Sequence, residues 1–583
     1  MGMLCHPLAL PSQDYTQRKR VLPDDSLEPW QDPQAIPVER STSPDQPPRC
    51  SRCLAYVNPF WDTDNQACNF CGTHKKTASL GVQIQSLPFQ VGTIDYVVGG
   101  PYVTRSTPVQ PVILYALDLT CPSLQKYTML LEQVLYDISS HGHRQVTHDG
   151  SKAAPRAGIV LVSSIGVHVP HPEGGFVCMP DVTEEPFCPL PLAEWTWNLA
   201  TPRGMEAMQM FWRDYKESAL EAFVQQTRTT TTASGKSGYS LSCGGAAMAF
   251  LVDALQDSGG RAVWISWRRP NHGVGTLRDR ERLKEAYTRY ENFLYSPLQQ
   301  HPEARVKEHT GDEAAANFYK ALGDACAKHR IAMDIVLHTD PSVPQTFLDL
   351  ATLGEVCRVS NGRLSWVKSA DWQDAFREEL LRSALSFSGW DAVFKVRCST
   401  GLQVKSFISN VGVCRDGGLA GSPELELSVV TPDTCIAVDL EHRVGGLPKE
   451  SKYVYLQTAL LYTTLFGERR CRVSTLALRT ASMAADCFRS MDFGAVATLL
   501  MRQAASPLLS PVHDEAGDNA RIKSRHNLLE RCANILVSYP RLHTTAVDSP
   551  MGLLPLFAMA LIKINVPIIY SMRRRHRPPL APC

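Results

Sequence analysis

Four cysteines near the amino-terminal end constrain the fold of this chain more than any other feature of its sequence. They form a Cys-x2-Cys-x14-Cys-x2-Cys array made of Cys50, Cys53, Cys68 and Cys71. Two pairs of thiolates, each pair on a tight turn, give tetrahedral coordination of one zinc ion and leave no open position on the metal. The array therefore predicts one structural zinc ion and no catalytic metal at this site.

The size and charge of the chain limit the classes of protein to which it can belong. It has 583 residues, with 59 lysines and arginines against 58 aspartates and glutamates. A single hydrophobic core stops growing at about 250–300 residues, so we expect several domains. The near-zero net charge disfavours a strongly basic nucleic-acid-binding protein, and we expect no nucleic-acid partner. The 18 cysteines, without an apolar amino-terminal signal region, indicate reduced thiols in the cytosol.

Strand and helix patterns alternate over residues 108–388. Continuous apolar runs are typical of strands buried on both faces of a parallel sheet, and they occur at 111–119, 158–163, 261–266 and 331–337. Helical patterns follow these runs at 124–138, 204–227, 243–256 and 313–329. This order predicts a doubly wound α/β domain.

The apolar segments become shorter from about Ala392 and are bounded by turns, which is typical of antiparallel sandwich strands. We predict such strands at 393–399, 401–407, 425–430, 435–440 and 470–478. Amphipathic helices are predicted after them at 493–505, 520–538 and 550–564. The fold class is thus multidomain α+β: a four-cysteine zinc finger, a doubly wound α/β trunk, an antiparallel β-sandwich and an all-α helical domain.

One segment raises the question of a membrane anchor. Residues 551–570 are almost wholly apolar and are followed by a basic run at 573–577. Lys563, Asn565 and two prolines interrupt the segment, and a Ser-Pro start signal at Ser549 favours a buried helix of the helical domain. The alternative, a tail-anchored protein, requires the segment to stay in the membrane pellet during alkaline carbonate extraction.

No catalytic motif is complete in this sequence. The Ser-Gly-Lys-Ser tract at 234–237 has Thr230 where a phosphate-binding loop requires its first glycine. Asp118 and Thr120 follow the first predicted strand as in a metal-binding von Willebrand-like domain, but Pro122 has no hydroxyl for the ion. We therefore expect a von Willebrand-like trunk without its metal, and a binding scaffold instead of an enzyme. A metal-dependent enzyme is the alternative, and Mg²⁺ titration tests it.

Several stretches resemble, in the same order, the cargo-selecting subunit of the COPII inner coat. Residues 48–60 and 68–71 resemble the zinc finger of that family, and residues 180–189 are similar to the acidic segment of its trunk domain. The Pro-Asn-x-Gly-x-Gly turn at 270–275 separates this subunit from its GTPase-activating sister. Further similar stretches lie at 94–111, 259–281, 397–402, 459–473 and 553–561.

The resemblance also implies domain boundaries. They are a mostly disordered leader at 1–47 with a partial β-sandwich contribution, the zinc finger at 48–80, a β-sandwich segment at 81–107, the trunk at 108–388, the β-sandwich at 389–480, the helical domain at 481–572 and a basic tail at 573–583. No stretch of this sequence resembles the gelsolin-like domain that follows the helical domain in this family, and we expect that domain to be missing.

The function implied by the resemblance is that of a structural cargo adaptor. Such a protein is cytoplasmic and peripheral on endoplasmic reticulum membrane and COPII vesicles. Its partners are the GTPase-activating coat subunit, a small Sar-type GTPase, the cytoplasmic tails of cargo and SNARE proteins, and the anionic membrane surface. Two alternatives stay open: the GTPase-activating sister subunit, and a divergent truncated paralogue without coat function.

The resemblance implies a cargo-binding pocket that includes three basic residues of this chain. Acidic export signals require arginine or lysine, because charge-assisted hydrogen bonds supply both strength and geometry. The matching positions are Arg49, beside the first zinc cysteine, and Lys395 and Arg397 on a sandwich strand. Leu54 stands where the family has a basic residue. A solvated surface charge is the alternative for each of the three.

A basic coat face would attract anionic lipid. Each lysine or arginine near the membrane surface would contribute about 1 kcal/mol to the binding free energy. The candidates for this face are Arg469, Arg470 and Arg472. Neighbouring residues on a strand point to opposite faces of the sheet, so the three are not expected to act together.

Overall fold

A computed structural model describes residues 2–5, 36, 38–39, 47–74, 83, 85–103, 110–121, 124–142, 156–218, 241–280, 297–300, 310–339, 347–368, 372–385, 389–408, 412–415, 423–448, 451–465, 467–483, 486, 491–509, 517–538, 553–560 and 562. The tract at 234–237, most of the predicted leader and the basic tail lie outside the described residues.

The strands are β1 (Gly2–Cys5), β2 (Val38–Glu39), β3 (Thr93–Val97), β4 (Val112–Asp118), β5 (Arg156–Ser163), β6 (Gly166–Pro170), β7 (Phe176–Met179), β8 (Trp197–Asn198), β9 (Gly260–Ser266), β10 (Ile331–His338), β11 (Leu364–Val367), β12 (Gly389–Cys398), β13 (Leu402–Ile408), β14 (Val413–Arg415), β15 (Glu424–Val430), β16 (Ile436–His442), β17 (Tyr453–Thr463) and β18 (Arg469–Arg479). The helices are α1 (Leu124–Gly142), α2 (Leu192–Trp195), α3 (Pro202–Glu217), α4 (Gly244–Leu255), α5 (Thr310–His329), α6 (Leu350–Ser360), α7 (Trp372–Leu385), α8 (Phe493–Leu509) and α9 (Gly517–Ser538), and residues 554–560 are also helical.

The first large sheet has the strand order β11-β10-β9-β4-β5-β6-β7. Its first five strands are parallel, and every residue of β4, β9 and β10 is buried, as their continuous apolar sequences predict. Helices α4, α5 and α6 pack on one face, and α1, α3 and α7 pack on the other. The predicted doubly wound trunk is therefore confirmed. Strands β6, β7 and β8, which the sequence patterns did not reveal, extend it in antiparallel pairing.

The Pro-Asn-x-Gly-x-Gly turn at 270–275 connects to the segment that follows β7. The Val274 amide donates to the Val182 carbonyl at 2.8 Å, and the Asn271 side-chain oxygen accepts from the Ser242 amide at 2.7 Å. Gly273 has a φ of +77°, and a Cβ there would lie 2.2 Å from the Val182 oxygen. Only glycine fits this position, because it needs both the left-handed backbone and the missing side chain.

Two further sheets form the sandwich. The larger has the order β14-β15-β12-β17-β18-β3-β2, and the smaller has the order β1-β16-β13. Apolar residues of both sheets, including Phe394, Leu427, Val438 and Leu460, fill the space between them. The predicted sandwich is confirmed, and β1, β2 and β3 join it from the amino-terminal part of the chain.

The carboxyl-terminal helices pack on one another. Leu500 of α8, Leu528 of α9 and Leu554 belong to one buried apolar cluster. This arrangement agrees with the predicted helical domain. Across the helices that the structure describes, none has both the length and the hydropathy that crossing a bilayer requires.

Candidate metal centre and the adjoining basic cluster

The four cysteines of the array converge, with their sulfur atoms all within 4.8 Å of one another. Cys50 Sγ lies 3.7 Å from Cys71 Sγ, and Cys53 Sγ lies 3.6 Å from Cys68 Sγ. A tetrahedron with metal–sulfur bonds of about 2.3 Å has sulfur–sulfur edges of about 3.8 Å. The observed spacing of the sulfur atoms fits one tetrahedral zinc ion, which agrees with the predicted structural zinc. Among the described residues, no other group of three or more potential ligands comes together in this way.

Two matching turns hold these sulfur atoms. The Leu54 amide donates to the Cys50 carbonyl, and the Gly72 amide donates to the Cys68 carbonyl, at 3.0 and 2.8 Å. Leu54 and Gly72 both have a positive φ, of 59° and 69°. The chain thus tolerates a leucine in the left-handed conformation because the turn places both thiols of a Cys-x2-Cys pair on the same side.

The thiols of the array do not titrate independently. Burial raises the pKa of Cys71, but its contacts with Thr73, Cys53 and Cys50 outweigh burial and lower that pKa to about 7. The hydrogen bond with Cys68, together with burial, raises the pKa of Cys53. Four neighbouring thiolates repel one another without a cation, so zinc binding and deprotonation must occur together.

The zinc-bearing module, residues 47–74, packs on the larger sandwich sheet. The Tyr56 amide donates to Gln457 Oε1 at 2.7 Å, and Gln457 Nε2 donates to the Tyr56 carbonyl at 3.0 Å. The rings of Phe60 and Phe70 lie about 6 Å from the ring of Tyr455 on β17. The metal therefore fixes a short segment of chain against a rigid sheet.

Two of the three predicted cargo-binding residues meet at this junction. The Arg397 guanidinium on β12 lies 5.4 Å from the centroid of the Tyr56 ring, and Arg49 is paired with Tyr56 through an isolated β-bridge. Arg49 also lies 5.9 Å from the Tyr102 ring. We call Arg49, Tyr56, Tyr102 and Arg397 the basic cluster. No sequence pattern indicated its two tyrosines, because their proximity arises only when the module packs on the sheet.

The basic cluster carries positive charge that nearby residues do not balance. Burial, together with Cys471 and Tyr102, raises the pKa of Tyr56, so that ring stays neutral. Within the described part of the chain, neither Arg49 nor Arg397 forms an ion pair, and the buried Arg397 Nη1 has no hydrogen-bond partner. A carboxylate is the ligand that such a pair of guanidinium groups can bind most strongly.

Lys395 differs from the two arginines. It lies two residues before Arg397 on the same face of β12, but its Nζ contacts Glu424 Oε1 at 2.5 Å. Its positive charge is therefore already compensated. The role of Lys395 in cargo binding stays a prediction, and it requires an incoming acidic group to compete with Glu424.

The predicted basic coat face at Arg469, Arg470 and Arg472 is wrong. Arg469 is buried, and its Nη1 donates to the Asp391 carbonyl at 2.6 Å. Arg470 is paired with Glu468 at 2.5 Å. Arg472 is buried against Asp95. These arginines have partners within the sandwich, because β3 supplies Asp95 and β12 supplies Asp391, which the sequence pattern of β18 does not reveal.

The carboxylate of Asp118 at the end of β4 is fully occupied by hydrogen bonds within the protein. Its Oδ1 accepts from the Thr120 amide and hydroxyl at 2.9 and 2.6 Å. Its Oδ2 accepts from the hydroxyls of Ser242 and Ser266 at 2.6 and 2.8 Å. Hydroxyl donors thus satisfy both oxygens of this buried carboxyl group.

Comparison with known proteins gives matches in the same order along the chain. Three family models match: the Sec23/Sec24 zinc finger over residues 47–79, the Sec23/Sec24 trunk domain over 215–385 and the Sec23/Sec24 beta-sandwich domain over 389–481.

Several similar whole proteins are named as Sec24. Protein transport protein SEC24 B of Arabidopsis thaliana is 25% identical over 547 residues, covering 89% of this chain and 44% of that protein. Protein transport protein Sec24B of Homo sapiens is 25% identical over 567 residues, covering 92% of this chain and 39% of that protein. The chain thus spans less than half the length of these two relatives.

Among solved structures, the human COPII-coat protein Sec24c has a similar fold. It matches with a TM-score of 0.70 and 20% identity, covering 97% of this chain and 69% of that one. The zinc-finger, trunk and β-sandwich matches, their order along the chain and the Sec24 relatives that cover most of it together show that this chain belongs to the Sec23/Sec24 family.

Proposed function

We propose that this chain is a structural cargo adaptor of the COPII vesicle coat, which binds acidic export signals at the basic cluster. The observation that carries this proposal is the pair of guanidinium groups, Arg49 and Arg397, that have no ion-pair partner among the described residues. The names of the relatives, which describe protein transport and a COPII coat, support the same function.

Binding would depend on geometry that the zinc module holds in place. The module pairs the main chain of Arg49 with that of Tyr56 and places the Arg49 guanidinium 5.9 Å from the Tyr102 ring, while β12 presents Arg397 to the Tyr56 ring. An acidic side chain entering between the two guanidinium groups would form charge-assisted hydrogen bonds, which are roughly twice as strong as neutral ones. The rings of Tyr56 and Tyr102 would exclude water from these bonds and strengthen them.

The proposed partners follow from the coat function. They are the GTPase-activating coat subunit, a small Sar-type GTPase, the cytoplasmic tails of cargo and SNARE proteins, and an anionic membrane surface. The protein would act in the cytoplasm, peripherally on endoplasmic reticulum membrane and COPII vesicles. Binding of tails requires no catalytic group, and the hydrogen-bonded Asp118 supports a scaffold over a metal-dependent enzyme.

The GTPase-activating sister subunit is the second candidate. The turn at 270–275 and the Sec24 names of the relatives favour the cargo adaptor over it. A divergent paralogue without coat function is the third candidate. A pull-down of the purified chain with the GTPase-activating subunit separates these candidates, since a cargo adaptor binds that subunit and a paralogue without coat function does not.

Peptide binding tests the basic cluster itself. The probe is a fluorescein-labelled peptide with two glutamates in a glycine-serine background, and the control peptide has glutamines in their place. Arg49→Glu or Arg397→Glu should weaken binding at least about ten-fold, because each reverses the charge of one arm of a charge-assisted contact. Arg52→Glu is the matched control, because Arg52 is an exposed arginine of the same module that contacts Thr73. The assignment would be refuted if all three variants lost the same affinity for the peptide, or if Arg49→Glu and Arg397→Glu lost none.

A further inference from the structure

Strand β18 is longer than the strand on its outer side. Strand β3 pairs with it from Arg470 to Ser474, and the Thr475 amide then donates to the Gly92 carbonyl at 2.8 Å. Strand β17 pairs with β18 over its whole length, as far as the pair of Tyr453 with Arg479. In the described part of the chain, no strand therefore covers the outer edge of β18 from residue 476 to residue 479.

The hydrogen-bond register shows which main-chain groups lie on this edge. The Thr480 amide donates inward to the Lys452 carbonyl at 2.9 Å, whereas the Thr475 amide donates outward to Gly92. Main-chain groups of an antiparallel strand alternate between its two neighbours. The amide and carbonyl groups of Ala477 and Arg479 therefore point outward, in the geometry that an added strand requires.

The side chains of this edge are apolar on one face. Leu476 and Leu478 are 48% and 43% exposed, although their partners on β17, Leu456 and Val454, are buried. Exposed strand edges in natural proteins are commonly protected by charged residues, proline or a bulge. Two exposed leucines on an open edge therefore indicate a surface that another chain covers.

The charge at the end of this edge indicates the chemistry of that chain. Arg479, the last residue of β18, is exposed and forms no ion pair within the residues that the structure describes. An exposed arginine at one end of an open edge favours a partner strand that has a carboxylate there.

We propose that the edge of β18 from Leu476 to Arg479 binds an extended peptide with apolar side chains at alternate positions and a carboxylate at one end. Such β-strand addition takes its affinity from main-chain hydrogen bonds and its specificity from alternate side chains. This site goes beyond the proposed function because it uses main-chain groups of β18 beyond Thr475, whereas the basic cluster meets β18 at Cys471, whose Sγ lies 3.6 Å from the Tyr56 hydroxyl. Arg397 lies on β12, and the whole of β17 separates β12 from β18.

A fluorescence anisotropy titration tests the site. The probe is an acetylated, fluorescein-labelled peptide of three Val-Thr repeats followed by two glutamates. Ala477→Pro should weaken binding at least about five-fold, since it removes one outward donor worth about 1 kcal/mol. Ala477→Val is the matched control and should bind within two-fold of the parent chain, because it keeps the amide. Arg397→Glu should also leave binding unchanged, which separates this site from the basic cluster.

A second variant keeps the test decisive if Ala477→Pro does not fold. The Arg479→Glu variant should bind the glutamate peptide more weakly and a peptide ending in two lysines more tightly than the parent chain does. The site is refuted if the parent chain does not bind the probe, if Ala477→Pro binds it as tightly as the parent chain, or if charge reversal leaves the preference unchanged. None of these results depends on binding of the GTPase-activating subunit, so this site and the proposed function can fail separately.

Discussion

Removal of the Asp95 carboxylate should loosen the sandwich where β3 meets β18. Asp95 is 1% exposed, and its two oxygens accept from Arg472 Nε and Nη2 at 2.9 and 2.8 Å. The Tyr462 hydroxyl donates to the same carboxylate at 3.0 Å. Asp95→Ala would leave Arg472, which is 5% exposed, as a buried cation that has lost its main partner.

The size of the effect follows from this burial. Removal of one partner of a buried ion pair typically costs about 3–5 kcal/mol, because the other charge stays desolvated. At about 1.4 kcal/mol for each factor of ten, local opening of β18 should become roughly 150- to 5,000-fold more frequent. The Asp95→Leu, Arg472→Met double variant should recover most of this loss, since it leaves no buried charge.

Amide hydrogen exchange of residues 470–474 is the suitable assay, because it reports local opening and does not require the whole multidomain chain to unfold in one step. Amides of β4 in the trunk serve as the internal control and should keep their protection. An increase of less than ten-fold in β18 exchange, or a double variant as unstable as Asp95→Ala, would refute the reasoning. A surface role for Arg472 predicts both of those results.

Three further predictions follow from the structure. Cys53→Ser should reduce the zinc content, measured by atomic absorption, from about one ion per chain to less than about 0.2. It should also weaken binding of the acidic peptide at the basic cluster, while the amides of the trunk keep their protection from exchange. Burial lowers the pKa of His168 to about 4 from its ordinary 6.5. The folded state should therefore lose about 3 kcal/mol of stability in all as pH falls from 6.5 to 4, because the unfolded chain binds a proton that the buried imidazole does not. Amide exchange of β5 and β6 should show this acid sensitivity, and His168→Gln should reduce it. Gly273→Ala should destabilise the trunk by several kcal/mol, because its Cβ would clash with the main chain. Gly446 also has a positive φ but has open space around it, so Gly446→Ala should cost only about 1–2 kcal/mol. Similar losses of thermal stability in both variants would contradict the steric argument.

The sequence predicted the parts of the molecule that depend on short-range patterns. The Cys-x2-Cys pairs fix their own turns, so the zinc site could be read from spacing alone. The strands β4, β9 and β10 could be recognised because a strand buried on both faces is apolar at every position. Strands β6 and β7 were missed, since with five and four residues they are too short for the continuous apolar run that marked the longer trunk strands.

The basic residues show what the sequence patterns could not predict. Arg397 and Arg472 both lie on sandwich strands and have the same charge, but Arg472 is paired with Asp95 and Arg397 lies over Tyr56. Their difference comes from residues 377 and 341 positions away in the chain. No local pattern contains that information.

The sequence by itself therefore determined the zinc ligands and the order of the zinc finger, trunk and sandwich, because turn geometry and buried apolar runs act over a few residues. Its family was indicated by the resemblance of several sequence stretches. Only the tertiary structure decided which arginines remain available to a ligand and which edge of the sandwich stays open. Charge compensation and strand pairing depend on the elements that pack against each side chain, and these come from distant parts of the chain.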